Sequence, residues 1–423
     1  MDYNITILEN GLKIIRHDIP YMKTITSSLW INQGSQNETK DNNGISHLLE
    51  HLLFDLTRNN ETECIMNELN NCGAKYNAAT TKEFMYFSVT TMNSIDKFKL
   101  GLNTLSQMVR QPFSKESFNK EKKIVLNEIK THLNHKNRVI NNCFYALWDE
   151  HSIGLSVLGK EENINKFTFE EMEKLKENRV NPGNAFLVIL GNLNLNTNII
   201  DIINEYFDDW KDYNIDCLFR DEIIVKNGPR IITKKGDKQN SAFTLAFNGV
   251  KFNNSYARVL ELSSVLLTSG VCSRLYKKLR TEKKLLYSIQ SSNYSFNYAG
   301  AFTICMLFNN DNFEEIIKGT LKELNRLKVE LISENELNQC KSKFITKLSV
   351  QLENPNSLLL FISRYFTLGK IYSYYEHIRQ IQSIKPKDIY TIFNEIFILD
   401  NVAFSSIGDI NQEVLIQLLE SDL

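Results

Sequence analysis

The chain is poor in the residues that mark linkers and extended, unfolded proteins. Six prolines and seventeen glycines in 423 residues exclude long disordered segments. It also has no excess of either charge. Lysine and arginine number 49 against 50 aspartates and glutamates, a net charge of −1. A nucleic-acid binder or a polybasic membrane-surface protein needs a basic surplus, so both classes are set aside. Seven cysteines (Cys64, Cys72, Cys143, Cys217, Cys272, Cys305 and Cys340) are odd in number, scattered and without a C-x-x-C pair. That pattern excludes a disulfide framework and a thiolate zinc site, and it fits reduced thiols. No apolar run reaches the about eighteen residues of a membrane span, and the opening segment lacks the apolar stretch of a secretory leader. The expected compartment is the cytoplasm.

What remains is ordinary globular composition, with 42% hydrophobic and 23% charged residues and a length that suits two domains. Residues 5–8 and 12–15 flank Asn10-Gly11 and read as a β-hairpin, because Asn-Gly accepts the positive φ of a tight turn. Further strands are expected at 25–31, 84–91 and 185–190. Helices are expected from Asn43-Gly44, at 94–109, 114–134 and 168–178, and from about 197 to 207. The second half repeats the first. Asn184 to Gly191, an apolar strand closed by glycine, is echoed by Asn401 to Gly408, and a terminal helix follows each. Ser114-x-x-x-Phe118 is echoed by Ser333-x-x-x-Leu337. The expectation is an α+β protein of two homologous domains, 1–215 and 228–423, each a mainly antiparallel sheet with helices packed on it. The boundary falls in the polar stretch 211–228.

The chemistry centres on His47-Leu-Leu-Glu50-His51, an H-x-x-E-H motif. On a helix, residues i, i+3 and i+4 share a face, so the three side chains project together. Two imidazoles one turn apart can bind one Zn²⁺, and the carboxylate beside them can take a proton from a water that the metal polarises. A catalytic zinc needs a third protein ligand. The helix at 114–134 offers Glu121 and Glu128, two turns apart on one face, with Ile124 and Val125 expected to turn inward. Glu128 could ligate and Glu121 could orient an imidazole from behind. Read alone, glutamates on a Lys-rich helix are more often a solvated face than ligands. His132 and His135 form a rival pair, but no base or third ligand accompanies them.

With these residues in place, the sequence resembles the pitrilysin-type (insulinase) zinc metallopeptidases, in the compact two-domain form close to mitochondrial processing peptidase. In that family H-x-x-E-H is followed after about 76–77 residues by a ligand glutamate, itself seven residues after another essential glutamate. Here Glu128 lies 77 positions after His51, and Glu121 lies seven before Glu128. The resemblance implies that His47, His51 and Glu128 hold one zinc per chain, that Glu50 is the general base and that Glu121 supports the ligands. The segment Gly73 to Glu83 is similar to G-x-x-x-N-A-x-T-x-x-E, which implies that Asn77 and Ala78 lie on an edge strand that pairs with peptide substrate. Ser273 to Ser288 resembles S-R-L-x-x-x-L-R-x-x-x-x-L-x-Y-S, which assigns Arg280 and Tyr287 to the substrate carbonyl and its oxyanion.

The second half has no H-x-x-E-H and carries Cys340 and Lys347 where the first has its glutamates, so it is expected to be metal-free. In compact relatives two chains pair as a clamshell. Retention of both the zinc set and Arg280/Tyr287 implies a homodimer with sites completed in trans, or a heterodimer with a related subunit. The expected function is a zinc endopeptidase acting on unfolded or short peptides such as leaders, presequences or degradation products. The alternative is a non-catalytic or regulatory subunit of a two-chain peptidase. Small departures occur at Phe54-Asp55-Leu56-Thr57 and at Ser269-Gly270-Val271-Cys272, and they bear on substrate preference.

Overall fold

A computed structural model describes residues 3–55, 60–131, 135–149, 151–211, 223, 228–236, 241–367, 369 and 373–423, the side chains of 60–62 aside. The polar stretch 211–228 lies almost wholly outside these residues, as do Cys217, His132, Leu56 and Thr57. Among the described residues, eleven strands form two sheets. They are β1 (Asn4–Ile7), β2 (Lys13–Asp18), β3 (Thr24–Ile31), β4 (Lys75–Thr80), β5 (Met85–Met92), β6 (Ala185–Gly191), β7 (Arg230–Lys234), β8 (Ser241–Asn248), β9 (Leu286–Ser295), β10 (Gly300–Phe308) and β11 (Val402–Ile407). The first sheet runs β1-β2-β6-β3-β5-β4 and the second β7-β11-β8-β10-β9.

Apart from the added β1, the two orders are the same, and so are the directions. β2–β6 and β7–β11 are parallel, and every other pair is antiparallel. Leu187 of β6 lies opposite Ile14 and Leu29, and Phe404 of β11 lies opposite Ile231 and Leu245. The repeat in the sequence is therefore a repeat of topology: two homologous α+β domains. The turn chemistry repeats as well. Ser114 and Ser333 each accept a backbone N–H from the first turn of a helix, at 3.0 and 3.2 Å.

The helices are α1 (Ile45–Phe54), α2 (Asn60–Asn71), α3 (Ile95–Arg110), α4 (Lys115–Thr131), α5 (His135–Trp148), α6 (Glu161–Lys166), α7 (Phe169–Arg179), α8 (Ile199–Phe207), α9 (Tyr256–Thr268), α10 (Phe313–Val329), α11 (Glu334–Leu352), α12 (Pro355–Phe366), α13 (Tyr374–Ser383), α14 (Pro386–Ile396) and α15 (Gln412–Asp422). They pack into two compact units that do not follow a single cut in the chain. The first unit is Met1–Thr131, Ser156–Arg220 and Gln351–Tyr372, and the second is His132–Leu155, Asp221–Val350 and Ser373–Leu423.

The exchanged helices cover the second face of each sheet. In the second unit, α5 lays Val139, Cys143, Phe144 and Leu147 on Ala242, Ala246, Ala301 and Ala403, small residues that let a helix approach. In the first, α12 packs on β6 and β3, with Phe366 and Phe186 ring centres 4.9 Å apart. Covering both faces explains why Ala185–Gly191 is buried at every position and reads as an unbroken apolar run, without alternation. Burying both faces also explains why no single boundary in the chain separates the two units.

Candidate metal centre

The helix α1 is held at its start by a buried carboxylate. Glu38 accepts the backbone N–H of Gly44 and of Ser46, each at 2.8 Å, and the side-chain amide of Asn43 at 2.9 Å. These groups face the positive end of the helix dipole, where a carboxylate is favoured. Gly44 has φ +103° and a Cβ there would meet Gly159 Cα at 2.8 Å, so glycine is required on both counts. Inside α1, Leu48, Leu49, Leu52 and Leu53 are fully buried, which turns His47, Glu50 and His51 to the opposite face.

The helix α4 brings the two glutamates against that face. Val125, between them, is fully buried and anchors the helix, whereas Ile124 is 42% exposed and does not turn inward as expected. The 100° step per residue separates the two neighbours around α4, and the side that packs is the one carrying Val125. Glu121 and Glu128 then fall on the α1 side. Oε2 of Glu128 lies 3.3 Å from Nε2 of His51 and 3.7 Å from Nε2 of His47. Oε2 of Glu121 lies 3.1 Å from Nδ1 of His51. A carboxylate can only accept, so Nδ1 of His51 donates to Glu121, and Nε2 is the ring nitrogen left for a metal.

These spacings fit zinc. A tetrahedral ion with bonds of about 2.0–2.1 Å separates its ligand atoms by about 3.3–3.4 Å. Oε2 of Glu128 stands near that spacing from Nε2 of both His47 and His51. His47, Glu50 and His51 also present donor atoms all within 4.8 Å of one another, the one such group among the described residues. Glu50 stands beside the set, with Oε2 4.0 Å from Nε2 of His47 and 3.5 Å from the Thr80 hydroxyl that donates to it. Burial pushes the Glu50 carboxyl up to about 7, helped by the negative charges of Glu128 and Glu121 and opposed by His51 and Thr80. Burial alone would lower the His51 imidazole. The hydrogen bond to Glu121 and the charges of Glu50, Glu121 and Glu128 outweigh it and raise it.

The cluster opens on a cleft of about 690 Å³ lined by Phe54, Met66, Tyr76, Ala78, Val157 and Leu158 as well as the polar set. One wall is β4, which among the described residues pairs with β5 alone and stands at the edge of its sheet. Asn77 and Ala78 lie in this edge strand, opposite Ser88 and Phe87. The Asn77 side chain bonds the phenol of Tyr86. Sequence reasoning missed three residues that touch the cluster. They are Thr80 on Glu50, and Asp55 and Lys120, which stand behind Glu121. Thr80 sat inside the Gly73–Glu83 motif and Asp55 inside a departure read as bearing on substrate preference, whereas Lys120 left no signal beyond its helical spacing.

Arg280 and Tyr287 belong to the second unit. Arg280 lies in a π-helical turn, Tyr276–Glu282, with its guanidinium 5.0 Å from the Tyr276 ring centre, and Tyr287 on edge strand β9 is 56% exposed. Of the rival pair, His132 lies outside the described residues and His135 opens α5. The counterpart of α1 in the second unit is α9, the first helix after β8. At its third, sixth and seventh positions stand Arg258, Glu261 and Leu262 in place of His47, Glu50 and His51. Arg258 pairs with Glu261 at 2.8 Å and contacts Nδ1 of His377 at 3.3 Å, and Nε2 of His377 lies 3.2 Å from Glu261. An arginine, a glutamate and a histidine contact one another there.

Two like α+β sheets, with one His-x-x-Glu-His helix and a glutamate delivered from a second helix, define the class of inverted-motif zinc peptidases. Residues 13–161 match the model described as Insulinase (Peptidase family M16), and residues 166–344 match Peptidase M16 inactive domain. The chain belongs to the insulinase (pitrilysin) family of zinc proteases. It is 26% identical to an uncharacterized zinc protease of Rickettsia felis over 94% of this chain and 95% of that one. It is 23% identical to a probable mitochondrial-processing peptidase subunit beta of Schizosaccharomyces pombe, over 96% of this chain and 91% of the relative. Among solved structures, a protease from Helicobacter pylori superposes with a TM-score of 0.87 at 19% identity, covering 96% of this chain and all of that one.

Proposed function

We propose that this chain is a zinc-dependent endopeptidase that cleaves unfolded or short peptides, with His47, His51 and Glu128 holding one zinc. The observation that carries this reading is the convergence of Glu128 on both imidazoles, with the buried carboxyl of Glu50 beside them. Zinc bound there supplies a Lewis acid that polarises the scissile carbonyl and acidifies the attacking water. The protein groups do the rest. Glu50, with a carboxyl poised near neutrality, takes the proton of the attacking water at Oε2 and returns it to the leaving amine. Glu121 keeps the His51 proton on Nδ1. Substrate lies in extended form along β4, where main-chain hydrogen bonds near Asn77 and Ala78 hold it without regard to sequence. That mode suits leader, presequence or degradation peptides and excludes folded proteins.

Arg280 and Tyr287, presented by a second copy of the chain, are the proposed donors to the carbonyl oxygen, which makes the working species a homodimer. A related subunit could stand in for the second copy. That second reading, a subunit of a two-chain peptidase, is favoured by the Schizosaccharomyces pombe relative, which is named as a subunit. No helix among the described residues is long and apolar enough to cross a membrane, and the six described cysteines are free. Free thiols support a cytoplasmic setting. The test is direct. The purified chain loaded with one equivalent of zinc should cleave a quenched peptide library, stop on chelation and recover with zinc. Stoichiometric zinc with no cleavage of any peptide would remove the endopeptidase and favour the subunit.

A further inference from the structure

The two helices that carry the ligands are clipped together one turn beyond the ligands themselves. Asp55 closes α1, four residues after His51, and its backbone N–H bonds the His51 carbonyl at 3.0 Å. Its side chain is 4% exposed. Oδ2 accepts the Ser117 hydroxyl at 2.7 Å, and Oδ1 lies 3.3 Å from the Lys120 ammonium. Ser117 stands four residues before Glu121 on α4. Moving one turn forward on α1 thus meets one turn backward on α4, the register of an antiparallel pair. The rungs follow in order: Asp55 on Ser117 and Lys120, then His51 on Glu121, then His47 and His51 on Glu128.

Lys120 links the first two rungs. Its ammonium also lies 3.5 Å from Oε1 of Glu121, whose other oxygen holds Nδ1 of His51. We infer that Asp55 is a positioning residue of the metal centre: it locks α1 on α4 and draws Lys120 away from Glu121, leaving that carboxylate to His51. The inference rests on the metal-centre reading above. Without the Asp55 charge, Lys120 pairs fully with Glu121, the His51 imidazole loses its anchor and the metal is held less tightly.

Asp55→Asn keeps the shape and removes the charge. Competition with a chromophoric chelator should show zinc bound about 10-fold more weakly, the scale of a lost group behind a ligand. Cobalt(II) in place of zinc should change its visible absorption, since those bands report ligand geometry. Asp55→Asn/Lys120→Met should recover most of the loss, because nothing then competes with His51 for Glu121. Ser117→Ala, which removes one hydrogen bond to the carboxylate, should weaken zinc in the same direction but by less than Asp55→Asn, and it serves if Asp55→Asn does not fold. Unfolding of the metal-free variants is followed in parallel. Reduced stability with unchanged zinc affinity and an unchanged cobalt spectrum overturns the inference, as does a double variant no better than Asp55→Asn. Wild-type chain that takes up no zinc removes the metal centre itself, and this inference with it, a result readily told apart from the other two.

Discussion

Nδ1 of His51 donates to Oε2 of Glu121 across 3.1 Å, and this bond sets which nitrogen of the ring is left to a metal. The ring's other nitrogen then stands 3.3 Å from Glu128. One imidazole is thus shared between two glutamates of one helix that have different tasks. The distinction between ligand and support gives the first prediction.

Glu128→Ala should leave the purified protein without stoichiometric zinc. Glu121→Gln should keep zinc but weaken it about 10- to 100-fold, since the amide still reaches the ring but holds it less firmly. Metal analysis and chelator titration separate the two. Equal losses from both substitutions would contradict the assignment of roles.

Glu50→Gln should retain zinc and lose peptide cleavage by a factor of about 10²–10⁴, the range of a positioned acid–base group. The measurement pairs metal content with turnover of a quenched peptide. Turnover at the wild-type rate would place the base elsewhere.

Burial pushes Glu38 up to about 7, against the hydrogen bonds from Gly44, Ser46 and Asn43. The folded protein therefore keeps a proton that the unfolded chain has released between pH 4.5 and 7. Stability from this group is full below about 4.5 and falls as the pH rises through 7. Glu38→Gln does not titrate, so its stability deficit relative to wild type should shrink from pH 5 to pH 7. Urea denaturation of both proteins at the two pH values checks the sign, and a deficit that grows with pH would reverse the assignment.

Arg258→Met should destabilise the protein by about 1.5–3 kcal/mol, because it removes the charged donor that Glu261 and His377 share. Zinc affinity should not change, since Arg258 belongs to the second unit. Denaturation and metal titration read the two effects independently. A loss of zinc would contradict the separation.

The shared face of His47, Glu50 and His51 was legible in the sequence because its geometry is local. Residues 47, 50 and 51 share a helix face whatever surrounds the helix, and the leucines between them say which face is inside. The repeat was legible for a similar reason: a buried central strand ending in glycine, with Leu187 or Phe404 at its middle, leaves the same apolar signature in each copy. The inward turn expected of Ile124 failed because helical spacing alone does not say which of two adjacent apolar residues is anchored.

By itself, the sequence determined that one helix carries two imidazoles and a carboxylate on a single side, and that a second helix carries two carboxylates on a single side. Only the tertiary structure decided that these sides meet, that Glu128 and not Glu121 reaches both Nε2 atoms, and that Asp55 lies against Ser117 and Lys120. It also decided that α5 and α12 each cover the sheet of the other half. The physical reason is range: helical periodicity is imposed by backbone geometry within one turn, whereas the partner of a helix face is chosen by burial and charge matching between segments far apart in the chain.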